Sequence, residues 1–130
     1  MVMRTLLFLG AAICCFNVNA LGLGEIKVAS ALNEPFKATI ELTGADSNLN
    51  ESELLVGLAN EATFQRMGIA REAVVLQLKF KPQLKAAPPA ILVTSDKPIR
   101  EPSLDFVLEL QSPKGQMMKE YTVLLNPEHN

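Results

Sequence analysis

Phe36-Lys37-Ala38-Thr39-Ile40-Glu41-Leu42 decides the fold, because four apolar side chains alternate with three polar ones. That period of two belongs to a strand with one face in a core and the other in water. The same alternation recurs at Val74 to Lys81, where Val74, Leu76, Leu78 and Phe80 would face inward, and at Leu104 to Gln111, where Leu104, Phe106, Leu108 and Leu110 would do so. Shorter or less regular candidates are Glu25 to Ala29, Leu54 to Ala59, Ile91 to Ser95 and Lys119 to Leu125. About seven strands are therefore expected.

One helix interrupts the pattern. Asn60 can cap a segment Glu61 to Met67, Glu61 suits the positive end of its dipole, and Gly68 supplies a left-handed stop. Phe64 and Met67, three apart, would share the face that packs on the sheet, with Ile69 closing over the last turn. Ser112-Pro113-Lys114-Gly115 has turn chemistry and would join Leu104 to Leu125 into one hairpin. Neither Thr43 to Ser52 nor the proline-rich Pro82 to Pro89 is long enough for a parallel crossover. The expected fold is mainly all-β: an antiparallel β-sandwich, Ig-like or Greek-key, with one short helix near 61–67.

Ahead of this domain, residues 1–20 read as a signal peptide. Arg4 is the only charge, Leu6 to Phe16 is apolar, and Val18-Asn19-Ala20 places small residues where a signal peptidase cuts. The apolar run is short for a bilayer span, so no stable membrane insertion is expected after cleavage. Cys14 and Cys15 are the only cysteines and fall inside the signal, and Ile13 before them is too bulky for lipid attachment. A mature chain from Leu21 would be a single domain over 21–127 with a short tail at 128–130, exported to the periplasm or secreted beyond it. It would be held together by its core and not by disulfides. Loss of Arg4 leaves 11 basic residues against 14 acids, a charge that favours solubility. Basic residues interleave with acids and tryptophan is absent, which argues against nucleic acid as a partner.

No catalytic, cofactor-binding or metal-ligating set is assembled by this sequence. His129, the only histidine, is next to last in the chain. Gly22, Gly24 and Gly44 do not make a phosphate loop, since extended chain and not a helix follows the first pair. Asp105 and Glu109 share a strand face about 13 Å apart by strand rise, too far for either glycosidase geometry. The polar residues most suited to protein binding are Arg100 and Glu101, held between Pro98 and Pro102, with Asp105, Lys119 and Glu120. Arg100 could read a carboxylate or phosphate, or pair with Glu101, Asp105 or a neighbouring loop. Lys119-Glu120 reads most simply as a mixed-charge edge that discourages aggregation.

Four ordered segments resemble a known family. They are Leu21-Gly22-Leu23-Gly24-Glu25-Ile26-Lys27 after the signal, Ser30-Ala31-Leu32-Asn33-Glu34-Pro35-Phe36-Lys37-Ala38, Thr94-Ser95-Asp96-Lys97-Pro98-Ile99-Arg100-Glu101-Pro102-Ser103-Leu104-Asp105-Phe106, and Lys119-Glu120-Tyr121-Thr122-Val123-Leu124-Leu125-Asn126-Pro127. Together they are similar to the N-terminal periplasmic domain of the FimV/HubP family, and Phe64 and Gly68 match its short helix. Gln111-Ser112 departs from the family, where many relatives carry a tryptophan.

The resemblance implies a non-enzymatic bacterial envelope protein that binds components of pilus or secretion machinery. Family members are inner-membrane polar scaffolds that support type IV pilus assembly, secretion and twitching motility. The LysM module, transmembrane helix and acidic cytoplasmic region that usually follow do not occur in these 130 residues. Glycan binding and cytoplasmic hub activity are therefore not carried over. Two alternatives stay open: a small secreted or periplasmic cell-wall enzyme, and a truncated family remnant without independent activity. Partner identity and oligomeric state are not legible.

Overall fold

In the computed structural model the segment at 36–42 lies within strand β2 (Pro35–Thr43), and its Phe36, Ala38, Ile40 and Leu42 are all buried. The structure describes residues 21–45, 49–113 and 115–127. The expected signal at 1–20 with Cys14 and Cys15, residues 46–48 of the polar connection, Lys114 of the turn, and the tail at 128–130 with His129 lie outside the described residues. The remaining strands are β1 (Gly22–Val28), β3 (Leu55–Leu58), β4 (Lys79–Gln83), β5 (Ala90–Pro98), β6 (Ser103–Ser112) and β7 (Gly115–Leu124). Every pairing is antiparallel.

The strands form two sheets, ordered β1-β2-β5-β4 and β3-β6-β7. Lettered A to G in chain order these are ABED and CFG, the constant-type immunoglobulin arrangement of a Greek-key sandwich. The inward faces of β2 and β5 meet those of β6 and β7. Phe106 is fully buried, and its ring centroid lies 6.0 Å from Phe80 and 5.8 Å from Tyr121. This aromatic cluster joins strands of both sheets without a disulfide, and each such buried side chain contributes about 1.5–3 kcal/mol. The expected hairpin is present, with β6 and β7 paired from Ser103↔Leu124 to Ser112↔Gly115.

The helix, α1 (Glu61–Arg66), begins and ends as its sequence indicates. The Asn60 side chain accepts from the Thr63 N–H at 2.8 Å. At the other end Gly68 has φ +75°, its N–H donates to the Gln65 carbonyl at 3.1 Å, and the Ile69 N–H donates to the Phe64 carbonyl at 2.9 Å. That pair of bonds is a Schellman cap. Phe64 is fully buried, and Arg71 lies over its ring at 5.6 Å while its Nε donates to the Ala59 carbonyl at 3.2 Å.

Met67 and the stretch Val74 to Lys81 depart from the sequence expectation. Met67 does not share the buried face of Phe64: it caps the helix in an exposed position. Val74 to Lys81 is not one strand, since Ala73–Gln77 forms a 3₁₀ helix and only Lys79–Gln83 pairs with β5. Val74, Val75 and Leu78 are buried while Leu76 is 54% exposed, so the period of two fails across this stretch. Among the described residues no helix is long and apolar enough to cross a membrane.

Candidate functional site

Three of the four family-like segments converge on a network of short hydrogen bonds. Asn33 sits at φ +69°, a conformation that a short polar side chain tolerates, and its N–H donates to the Ile99 carbonyl at 2.8 Å. The Ile99 N–H donates to the Glu34 carbonyl at 3.0 Å, and the Leu32 N–H to the Asn126 carbonyl at 2.8 Å. The Glu34 carboxylate accepts from the Ala31 N–H at 2.9 Å. Ser95, almost wholly buried, accepts from the Phe36 N–H at 2.8 Å and donates to the Lys97 carbonyl at 2.7 Å. Asn33, Glu34, Ser95 and Ile99 are thus architectural, a role that sequence reading did not assign. The signal was the small polar residue ahead of each proline-containing bend.

Arg100 and Glu101 crown this network in the exposed connection between β5 and β6. Ile99, beside them, is buried and anchors the bend. Arg100 is exposed, and among the described residues no acid forms an ion pair with it.

Asp105 and Glu120 do come together, across the β6–β7 ladder. Asp105 pairs with Thr122 and Val107 with Glu120, so the two carboxyls are diagonal neighbours on one face. Thr122 Oγ1 donates to Asp105 Oδ1 at 3.3 Å. The Asp105 carboxyl holds Glu120 above the usual carboxylate range, first through a hydrogen bond that needs a proton, then through desolvation and like charge.

Lys119 points to the other side of β7 and is occupied. Its Nζ donates to the Leu23 and Gly24 carbonyls at 3.3 and 3.4 Å and lies 5.3 Å from the Tyr121 ring centroid. Tyr121 Oη also donates to the Gly24 carbonyl, at 2.7 Å, and burial pushes its pKa up to about 12. These bonds clip the irregular stretch of β1 between Leu23 and Ile26 to the opposite sheet. The mixed-charge edge expected at Lys119-Glu120 therefore divides in two, a clip on one side and a carboxyl pair on the other.

Glu109, the other carboxylate on the Asp105 face, has different partners. It accepts from Gln111 Nε2 at 2.9 Å and from Gln116 Nε2. Gln111, at the position of the family departure, is thus an exposed amide beside Leu55 of β3. Open surface depressions of about 240 to 290 Å³ lie beside β3 and beside the 3₁₀ helix. Among the described residues no group of three or more His, Cys, Asp or Glu side chains could hold a metal ion.

Over 110 residues the chain is 41% identical to sequences named "Motility hub protein FimV" from two strains of Pseudomonas aeruginosa. That alignment takes in 84% of this chain but 12% of each relative, so the chain spans about an eighth of their length. No solved structure gives a significant match. Residues 21–128 match the family described as the FimV N-terminal domain Ig-like domain. Since that match runs through both sheets, the helix and the hydrogen-bonded bends, the chain belongs to the FimV N-terminal domain family of Ig-like domains.

Proposed function

We propose that this domain is a non-enzymatic periplasmic interaction module, which supports type IV pilus, secretion or polar envelope assembly by binding envelope proteins. The observation that carries the reading is the 41% identity to a motility hub protein over the whole sandwich. Two features support it. The Ser95 hydroxyl and the Lys119 ammonium are spent on joining loops and sheets, the Asn33 turn does the same through its backbone N–H, and Arg100 and Glu101 are left on the surface. Residues 1–20 carry the pattern that would export the domain.

The test is site-specific photocrosslinking in living, piliated cells from positions spread over the sandwich, including Arg100, Lys27 and Leu124. Covalent adducts with pilus or secretion components of the envelope are expected, together with an exported form whose N-terminus is Leu21. Retention of the chain in the cytoplasm, or no adduct from any position, overturns the reading.

A further inference from the structure

We propose that the outer face of the β3-β6-β7 sheet is the docking surface of this domain, and that its occupant is a cationic segment of a partner protein carrying apolar side chains. The inference rests on the interaction-module reading and names the face and the chemistry it would use.

The strand period places Leu55 of β3 and Met118 and Leu124 of β7 on this face, where they are 65%, 40% and 76% exposed. Leu124 and Leu55 are the two most exposed large apolar side chains among the described residues. Exposed apolar side chains rimmed by polar groups are the usual mark of a protein-binding surface. Gly57, next to Leu55 on the same face, would have nothing within 4 Å of an added Cβ. It leaves a flat opening of about 240 Å³, bordered by Leu55, Glu109 and Gln111, into which a partner side chain can lie.

Charge selects the occupant. The outward positions of these three strands carry Asp105, Glu109 and Glu120 and no lysine or arginine, and Val107 in their midst is fully buried, so the acids and the exposed apolar side chains border a covered centre. Lys119 is turned away toward β1. Asp105 and Glu120 are diagonal neighbours, neither is in an ion pair among the described residues, and Glu109 accepts from the neutral amides of Gln111 and Gln116. A second copy of this chain docked face to face would set carboxylates against carboxylates, which is unfavourable at an interface. The outer face of the other sheet offers no such selection, because Lys27, Lys37 and Lys81 are mixed there with Glu25 and Glu41, and Lys79 pairs with Asp96 at 2.6 Å.

The test uses the chain as exported, isotope-labelled for amide NMR, and three synthetic peptides of alternating Lys-Leu, Glu-Leu and Lys-Ser. The Lys-Leu peptide is expected to shift amides of β6, β7 and β3 and to bind about tenfold more tightly than either control. Combining Met118→Ser with Leu124→Ser should remove most of that binding. Combining Glu109→Lys with Glu120→Lys should transfer the preference to the Glu-Leu peptide. Thermal melts of both variants check that the fold is kept, as the exposure of these side chains leads one to expect.

Shifts on another face, equal binding of all three peptides, or an unchanged preference after charge reversal would overturn the proposal. Self-association that Leu124→Ser abolishes would overturn it too, because the occupant would then be a second copy. Crosslinks in cells from Arg100 or Lys27 with none from Leu124 would dismiss this face and leave the interaction-module reading standing. No adduct from any position dismisses both.

Discussion

The Ser95 hydroxyl bonds the Phe36 N–H and the Lys97 carbonyl from a position almost closed to solvent, so water cannot replace it on deletion. Ser95→Ala strands a buried backbone N–H, and a loss of about 1–3 kcal/mol is expected in urea unfolding. Tyr121 allows a sharper test through pH. Its folded pKa of about 12 exceeds the ordinary value of 10.0, so the unfolded chain ionises first and stability falls as pH rises from about 10 to about 12. Tyr121→Phe gives up the bond to the Gly24 carbonyl, at a cost of about 0.5–1.5 kcal/mol, and should lose that alkaline decline. Glu120 has the same sign in the acidic range. The fold holds its proton more tightly than the unfolded chain does, so this group favours the fold below its raised pKa and the contribution vanishes as pH rises through it. Glu120→Gln should therefore be more stable than the parent at neutral pH, with the gain shrinking in acid and in high salt; equal melts at every pH would exclude the proposed pairing with Asp105. Sequence showed that Asp105, Lys119 and Glu120 were polar residues on strands. It did not show that strand period sends Lys119 and Glu120 to opposite sides, one to bond β1 and the other to face Asp105.

Strands and helix were legible where composition distinguished one period from the other. Phe36 to Leu42 alternates strictly and became a buried strand, and the Asn60 cap and Gly68 stop bracket α1 within a residue. Gly68→Ala should cost about 1–2 kcal/mol, because an added Cβ meets no neighbour there and the whole penalty comes from φ +75°. Gly68→Asn should cost less, and thermal melts of the two variants would separate backbone strain from packing. The run Val74-Val75-Leu76-Gln77-Leu78 misled because four of its five residues are apolar, so it fits a strand or a helical turn equally well. Val74 and Val75 are buried from a 3₁₀ helix and Leu78 from its C-cap, and the strand begins only at Lys79. Met67 was misread for a related reason. Its spacing from Phe64 holds only while the helix continues, and the helix ends at Arg66. The early start of β1 was missed because glycines speak against a strand. Here they permit close approach, as a Cβ on Gly22 would lie 2.5 Å from Thr43 Oγ1 and one on Gly24 3.2 Å from Glu41 Cβ.

At the scale of the molecule, the two sheets share one core and the bends tie its ends. Phe106 lies at the centre, with Phe80 of one sheet and Tyr121 of its own on either side. Local hydrogen bonds carry the same coupling outward: the Asn33 turn holds Ile99 and Asn126, and the Lys119 and Tyr121 bonds hold β1. If each sheet were a separate folding unit, weakening the contact between them would leave two transitions. With a shared core, a single transition should move as a whole. Phe106→Ala is expected to cost about 3–5 kcal/mol, a large fraction of the roughly 5–15 kcal/mol that holds a domain of this size. Its urea midpoint should fall steeply with the slope unchanged, and fluorescence of Tyr121 and far-ultraviolet circular dichroism should trace the same curve. Tyr121 is the chain's only tyrosine and tryptophan is absent, so the fluorescence reports on the β7 side of the core alone. Divergence of the two probes would mean that the β3-β6-β7 sheet melts apart from its partner, and that its outer face is presented by a sheet able to open without loss of the whole fold.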